Sequence, residues 1–143
     1  MIGKYYLAHP FGSREQVRKW ELLMRHEHGI DFINPFYDKD IENPTLVDEG
    51  KMDVYEYMKQ LDPVTIVERD IECIYESMGV IAFVTDSISY GTIMEIVYAY
   101  NNSVPVYMMV TNGYEEHPWL KYHATEIFTL FSDLEEFLVV INR

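Results

Sequence analysis

"VIAFV" (residues 80–84) followed by "SYGTIMEIVYAY" (residues 89–100) reads as a strand, a short loop and a helix. The helix, Gly91–Asn101, is rich in Ile, Met, Val and Ala, yet Glu95 sits in its opening turns just past a Gly-Thr pair. Two readings of Glu95 stand at this point: a solvent-facing residue, or a carboxylate held at a site. Unpaired N–H groups and the helix dipole near the start of a helix favour the ionised form. An ionised Glu at a crevice is a candidate nucleophile or base.

Outward from that stretch, apolar periodicity gives alternating elements. Lys4–Ala8 reads as a first strand and Ser13–His28 as a helix. Ser13 stands at its N-cap with Gln16 three residues on, a capping-box pattern, and Gly29 ends it. Asp31–Pro35 reads as a second strand. Residues 36–62 are polar and acidic and form the one long insertion, with a helical pattern over Lys51–Gln60. Such loops are often functional covers. Thr65–Ser77 reads as a helix, Val80–Thr85 as a strand, and Val104–Val110 as the next strand. His117–His123 reads as a short helix, Glu126–Phe131 as a strand and Asp133–Ile141 as a final helix.

Alternating strands and helices over one 143-residue domain imply an α/β fold with helices on both faces of a parallel sheet. The expected form is flavodoxin-like, doubly wound and five-stranded in the order 2-1-3-4-5. The switch point then lies between the first and third strands, and ligands bind beyond their carboxyl ends. The two loops there are "HPFGSR" (His9–Arg14) and "DSISYGT" (Asp86–Thr92).

Composition narrows the partners. Eleven Lys and Arg against 24 Asp and Glu give a net charge of −13. That argues against nucleic-acid polymers and anionic membranes, which need positive patches. Apolar runs reach only about five residues, far short of a membrane span. The start "MIGKYYLAHPF" lacks a signal-peptide pattern, and Cys73 is alone, so a reducing cytoplasm is the expected location. Twelve Tyr residues suit stacking surfaces or a subunit interface.

A second carboxylate stands out in "TIVERDIECIYESM". An apolar stripe runs through Val67, Ile71, Ile74 and Met78, and Asp70 lies on its side of the helix, unlike Glu68, Glu72 and Glu76. A buried acid needs a partner or a function, so Asp70 is either a satisfied structural acid or a functional one. Two acids near one crevice suit glycoside chemistry, in which one attacks and the other handles the proton. "GSREQ" offers a helix N-terminus with Gly12, Ser13 and Arg14 as an anion site, or else an ordinary helix start. His9 lies in the switch-point loop, with packing as its default. The "HEH" of His26 and His28 splays its rings apart, so no metal site is expected. No Walker loop, GxGxxG or Ser-His-Asp order is present.

These residues, "YYLAHPF", the Asp of "VERDIECIYESMGVIAFV" and "SYGTIMEIVYA", together resemble the nucleoside 2-deoxyribosyltransferase family, which includes related nucleoside 5′-monophosphate N-glycosidases. The resemblance runs from Tyr5 to about Phe131. It implies that Glu95 attacks C1′ of the sugar and that Asp70 protonates the departing base and later activates the acceptor. It implies that Tyr6 lies near the nucleophile and that Phe11 borders the base. Gly91 and Thr92 fall within the "GTxxE" of its nucleophile helix. Nucleosides or nucleotides and free nucleobases are the implied partners, no cofactor is required, and a homo-oligomer is expected, with "HPWLKYHA" as a candidate contact. Three departures stand. Ser89 occupies the position, six before the nucleophile, where the transferases carry Asp; the monophosphate glycosidases use Ser there to hold phosphate. Val97 replaces a Gly of the pattern, and the chain stops at "VVINR" without a longer tail. Base exchange is therefore the first expectation, hydrolysis of a 5′-monophosphate the second, and a nucleotide-binding sensor without turnover the third.

Overall fold

The computed structural model describes residues 3–37, 48–87 and 89–143. Strands β1 (Lys4–Ala8), β2 (Asp31–Ile33), β3 (Gly79–Val84), β4 (Val106–Val110) and β5 (Glu126–Phe128) form one parallel sheet. Its order is β2-β1-β3-β4-β5, the doubly wound flavodoxin-like α/β arrangement expected from the alternation of elements. The chain reverses its direction of growth between β1 and β3, where Tyr5 to Ala8 run beside Gly79 to Ala82.

The helices are α1 (Arg14–His28), α2 (Val54–Lys59), α3 (Pro63–Glu76), α4 (Tyr90–Asn101), α5 (Pro118–His123) and α6 (Phe131–Ile141). Successive strand side chains point to opposite faces, and each face gathers its own core. Tyr5, Leu7, Ile81 and Phe83 meet Val17, Trp20 and Met24 of α1 and Leu134 and Leu138 of α6. Tyr6, Ala8, Val80 and Ala82 point the other way, toward Cys73 and Ile74 of α3 and Ile96 and Ala99 of α4. This alternation decides the site, because it aims Tyr6 at the two helices that carry Asp70 and Glu95.

Several boundaries differ from the sequence expectation, each for a local reason. β2 stops at Ile33 because Asn34 turns its side chain into a buried network, accepting the Phe36 amide at 3.3 Å. β4 begins at Val106, since the Val104 amide still bonds back to Ala99 at 2.9 Å. β5 ends at Phe128, and α6 starts at Phe131 because the Leu130 carbonyl collects the Asp133 and Leu134 amides. α3 starts at Pro63, where Asp62 caps the Thr65 amide at 3.3 Å and a proline costs no donor.

Two patterns are corrected. The capping box of Ser13 and Gln16 is not formed among the described residues: a 3₁₀ turn over Phe11–Ser13 precedes α1, and the Ser13 hydroxyl makes no cap bond. The stripe of α3 is also rotated. Val67 is 52 % exposed and Met78 42 % exposed, whereas Cys73 and Ile74 are buried and Ile66, Asp70 and Ser77 are half-buried beside them. The inward placing of Asp70 stands, but Ile66 and Cys73 share its face in place of Val67 and Met78. Within the 36–62 insertion, α2 lies inside the expected Lys51–Gln60 span with Asp53 capping Glu56 at 2.9 Å. Pro44 and the rest of residues 38–47 lie outside the described residues.

Candidate active site

Tyr6 is fully buried in the middle of β1, and its hydroxyl donates to Glu95 Oε2. Burial raises its pKa well above the usual phenol value, and the negative charges of Glu95 and Asp70 push the same way. Tyr6 therefore stays a phenol at any ordinary pH and serves as a fixed donor. Glu95 is half-buried in the second turn of α4. Gly91, one turn earlier, leaves open the space beside it: a Cβ there would sit 4.0 Å from Glu95 Oε1.

Asp70 reaches the same point from α3. Burial raises its carboxyl above the ordinary value, while the hydrogen bonds and charge of Arg69 and the hydroxyl of Tyr6 pull it back. Arg69 Nε lies 2.8 Å and Nη2 2.6 Å from Asp70 Oδ1. The structure thus brings together Tyr6, Asp70 and Glu95, the three residues expected to be catalytic. It adds Arg69, which sequence reasoning passed over because side chains at i and i+1 on a helix do not face each other.

The loop residues divide. Ser89 is the N-cap of α4; its hydroxyl accepts the Thr92 amide at 3.2 Å and pairs with Thr92 Oγ1 at 2.6 Å. Thr92 is buried beneath it, so this pair fixes the first turn that presents Glu95. A cleft of about 490 Å³ opens beside this turn, with Pro10, Asp86, Ser87, Ser89, Asn112 and Tyr114 in its walls. Asn112 and Tyr114 had no signal in the sequence beyond following the fourth strand. Gly12 brings the first loop to the second, since a Cβ there would lie 3.6 Å from Ser87 Oγ.

His9 takes no part in the carboxylate cluster. It is 4 % exposed and packs its ring against Phe83, a member of the core on the α1 side. Its Nε2 lies 3.0 Å from Asn34 Oδ1, whose amide nitrogen donates to the fully buried Glu21 at 3.0 Å. Arg18 and Arg25 also donate to Glu21. Burial lowers the His9 pKa, with the Asn34 and Pro10 bonds opposing. Phe11 packs against Phe36 and Tyr57, with centroids 5.4 and 5.3 Å away, and Arg14 stacks over it. Arg14 is engaged within the protein: it donates to the Phe11 carbonyl at 2.8 Å and to Asp48 through Nε and Nη2. The Ser13 amide closes the 3₁₀ turn onto Pro10 at 3.0 Å. Of the candidate anion site at Gly12, Ser13 and Arg14, the Arg14 guanidinium is thus paired with Asp48.

Among the described residues no group of three or more His, Cys, Asp or Glu is placed to hold a metal ion, and no helix is long and apolar enough to cross a membrane. The groups gathered there are two carboxylates, Glu95 and Asp70, and the Tyr6 phenol, which donates to Glu95.

No protein-family model and no curated protein matches the sequence. Solved structures match its fold. The 2-deoxyribosyltransferase of Bacillus psychrosaccharolyticus aligns with a TM-score of 0.69 at 20 % identity, over 92 % of this chain and 90 % of its own. The CMP N-glycosidase of Clostridium botulinum aligns with a TM-score of 0.58 at 17 % identity, over 96 % and 98 %. A 2-deoxyribosyltransferase from Leishmania mexicana aligns with a TM-score of 0.62 at 15 % identity, over 96 % and 97 %. From end to end, this chain shares the fold of these glycosidic-bond enzymes.

Proposed function

We propose that this chain is a nucleoside 2-deoxyribosyltransferase-like enzyme that cleaves the N-glycosidic bond through a covalent Glu95 intermediate. The observation that supports it most is the convergence of Tyr6, Asp70 and Glu95 from three different elements, on a fold shared with enzymes of that chemistry. In the first step a Glu95 oxygen attacks C1′ and forms the C1′–O bond. The C1′–N bond breaks, its electron pair stays on the base nitrogen, and Asp70 supplies the proton. In the second step Asp70 takes a proton from an incoming base, whose nitrogen attacks C1′ and releases the Glu95 carboxylate. Tyr6 orients Glu95 and disperses its charge. No metal or organic cofactor enters these steps.

A second reading is favoured by Ser89. A hydroxyl at the N-cap of α4, on the wall of the cleft, accommodates phosphate where a carboxylate would repel it. In that reading the substrate is a nucleoside 5′-monophosphate and water is the acceptor. In either reading the chain works as a homo-oligomer, which the exposed Trp119 and Tyr122 of α5 support.

The deciding experiment is chromatography of the protein incubated with thymidine plus adenine, and separately with each deoxynucleoside 5′-monophosphate without acceptor. Deoxyadenosine that disappears in Glu95→Ala identifies the transferase. Free base from the monophosphates alone identifies the glycosidase. Silence across the panel sinks both and leaves a nucleotide-binding sensor.

A further inference from the structure

Adjacent residues on a helix point about 100° apart, so Arg69 and Asp70 have no built-in reason to touch. Here the guanidinium folds back along α3 and places both Nε and Nη2 on Asp70 Oδ1, at 2.8 and 2.6 Å. Neither group is a solvated surface partner: the side chains are 9 % and 18 % exposed. Both bonds fall on one oxygen, Oδ1.

Burial disfavours the Asp70 carboxylate, and Glu95 on α4 adds a second acid to the same place. Tyr6 on β1 is a neutral donor there. Arg69 is the cation that burial has left beside Asp70. Left to burial alone, Asp70 would hold its proton more firmly. That serves the step in which it donates to the leaving base and defeats the step in which it must accept a proton from the acceptor. A group used in both directions needs a proton affinity near the working pH.

We infer that Arg69 is a positioning residue that keeps Asp70 able to give up its proton, so that the glycosyl-enzyme can be discharged. The inference rests on the double displacement proposed above. Arg69 holds Asp70 through Oδ1 and favours the anion, while the bonds to C1′ form and break at Glu95. Without it the first step proceeds and the second stalls, so sugar accumulates on Glu95.

The test pairs two readouts on Arg69→Gln and the charge-retaining Arg69→Lys, each first checked for a native melt. Carbon NMR of labelled Asp side chains, with Asp70 assigned by its loss in Asp70→Asn, needs no substrate. Arg69→Gln moves the Asp70 titration upward by about one to three pH units, and Arg69→Lys moves it less. Turnover of the substrates that the wild type accepts forms the second readout. In Arg69→Gln the kcat profile moves to alkaline pH and intact-mass spectra show more glycosylated protein, while kcat/KM for the sugar donor, set by the first step, changes little. An unmoved Asp70 titration overturns the role of Arg69 even in an active enzyme. A KM increase with an unmoved kcat profile overturns it too and makes Arg69 a substrate-binding residue. An inactive wild type, with the NMR shift present, overturns the enzymatic reading and this use of Arg69 with it.

Discussion

The hydroxyl of Tyr6 donates to Glu95 Oε2 across 89 residues of sequence, from the middle of a strand to the second turn of a helix. The donor is locked by burial and keeps its proton, so the bond fixes one Glu95 oxygen, Oε2. A hydrogen bond to a charged group contributes about 1.5–3 kcal/mol. Tyr6→Phe should therefore lower kcat by roughly ten- to a hundredfold with little change in fold. Glu95→Gln, which cannot form a stable ester with the sugar, should abolish turnover and the glycosyl adduct seen by intact mass. Full activity in Tyr6→Phe would remove the phenol from the mechanism.

Asp70 links the site to stability. Its folded carboxyl is raised above the ordinary value of 3.8, chiefly by burial. The folded protein thus binds more protons than the unfolded chain between those two values. Asp70 consequently costs stability as pH rises through that window and the cost persists above it. Asp70→Asn removes the buried charge while keeping an acceptor for Arg69. The melting temperature of Asp70→Asn minus that of the wild type should grow from pH 3.5 upward to a plateau near neutrality, measured by circular dichroism. The same variant should lose at least about a hundredfold in turnover, since general acid–base catalysis contributes on that order. A difference that stays flat or shrinks as pH rises from 3.5 to 7 would contradict the burial argument.

Much of this was legible before any coordinates. Period-2 and period-3.6 patterns anticipate the five strands in their order and the inward side of Asp70 on its helix, while the stripe on that helix is rotated to Ile66 and Cys73. What escaped was set by tertiary contact. Arg69 carries no signal in "VERD", because nothing local shows that its side chain will be buried against Asp70. Whether Arg14 serves an anion or an ordinary helix start stays open in the sequence, because the ion pair with Asp48 comes from 34 residues away. The Ser13 capping box gave way to a 3₁₀ turn once the loop had to carry Phe11 onto Phe36 and Tyr57.

His9 makes the loop after β1 sensitive to acid. Its pKa is lowered by burial, so between that value and 6.5 the unfolded chain binds the extra proton and the folded one does not. Stability conferred by the neutral imidazole is fully present above pH 6.5 and is lost as pH falls below it. His9→Gln, which can still donate to Asn34, should show a smaller drop in melting temperature between pH 7.5 and pH 5 than the wild type. Equal drops in the two proteins would assign the acid sensitivity to other groups.

Ser89 offers the sharpest separation of nucleoside from nucleotide chemistry. Aspartate caps a helix as well as serine does, so Ser89→Asp keeps the bond to the Thr92 amide and the first turn of α4. It also sets a carboxylate on the wall of the cleft, where the helix dipole keeps it ionised. Like charges brought together in a site cost several kcal/mol, so kcat/KM for 5′-monophosphates should fall by about a hundredfold or more. Deoxynucleosides, which lack the phosphate, should be turned over within about twofold of the wild-type rate or faster, because a carboxylate accepts the free 5′-hydroxyl. If both substrate classes lose activity equally, Ser89 acts through the helix start alone. A monophosphate-specific loss places the phosphate beside α4 and makes the nucleotide the natural substrate.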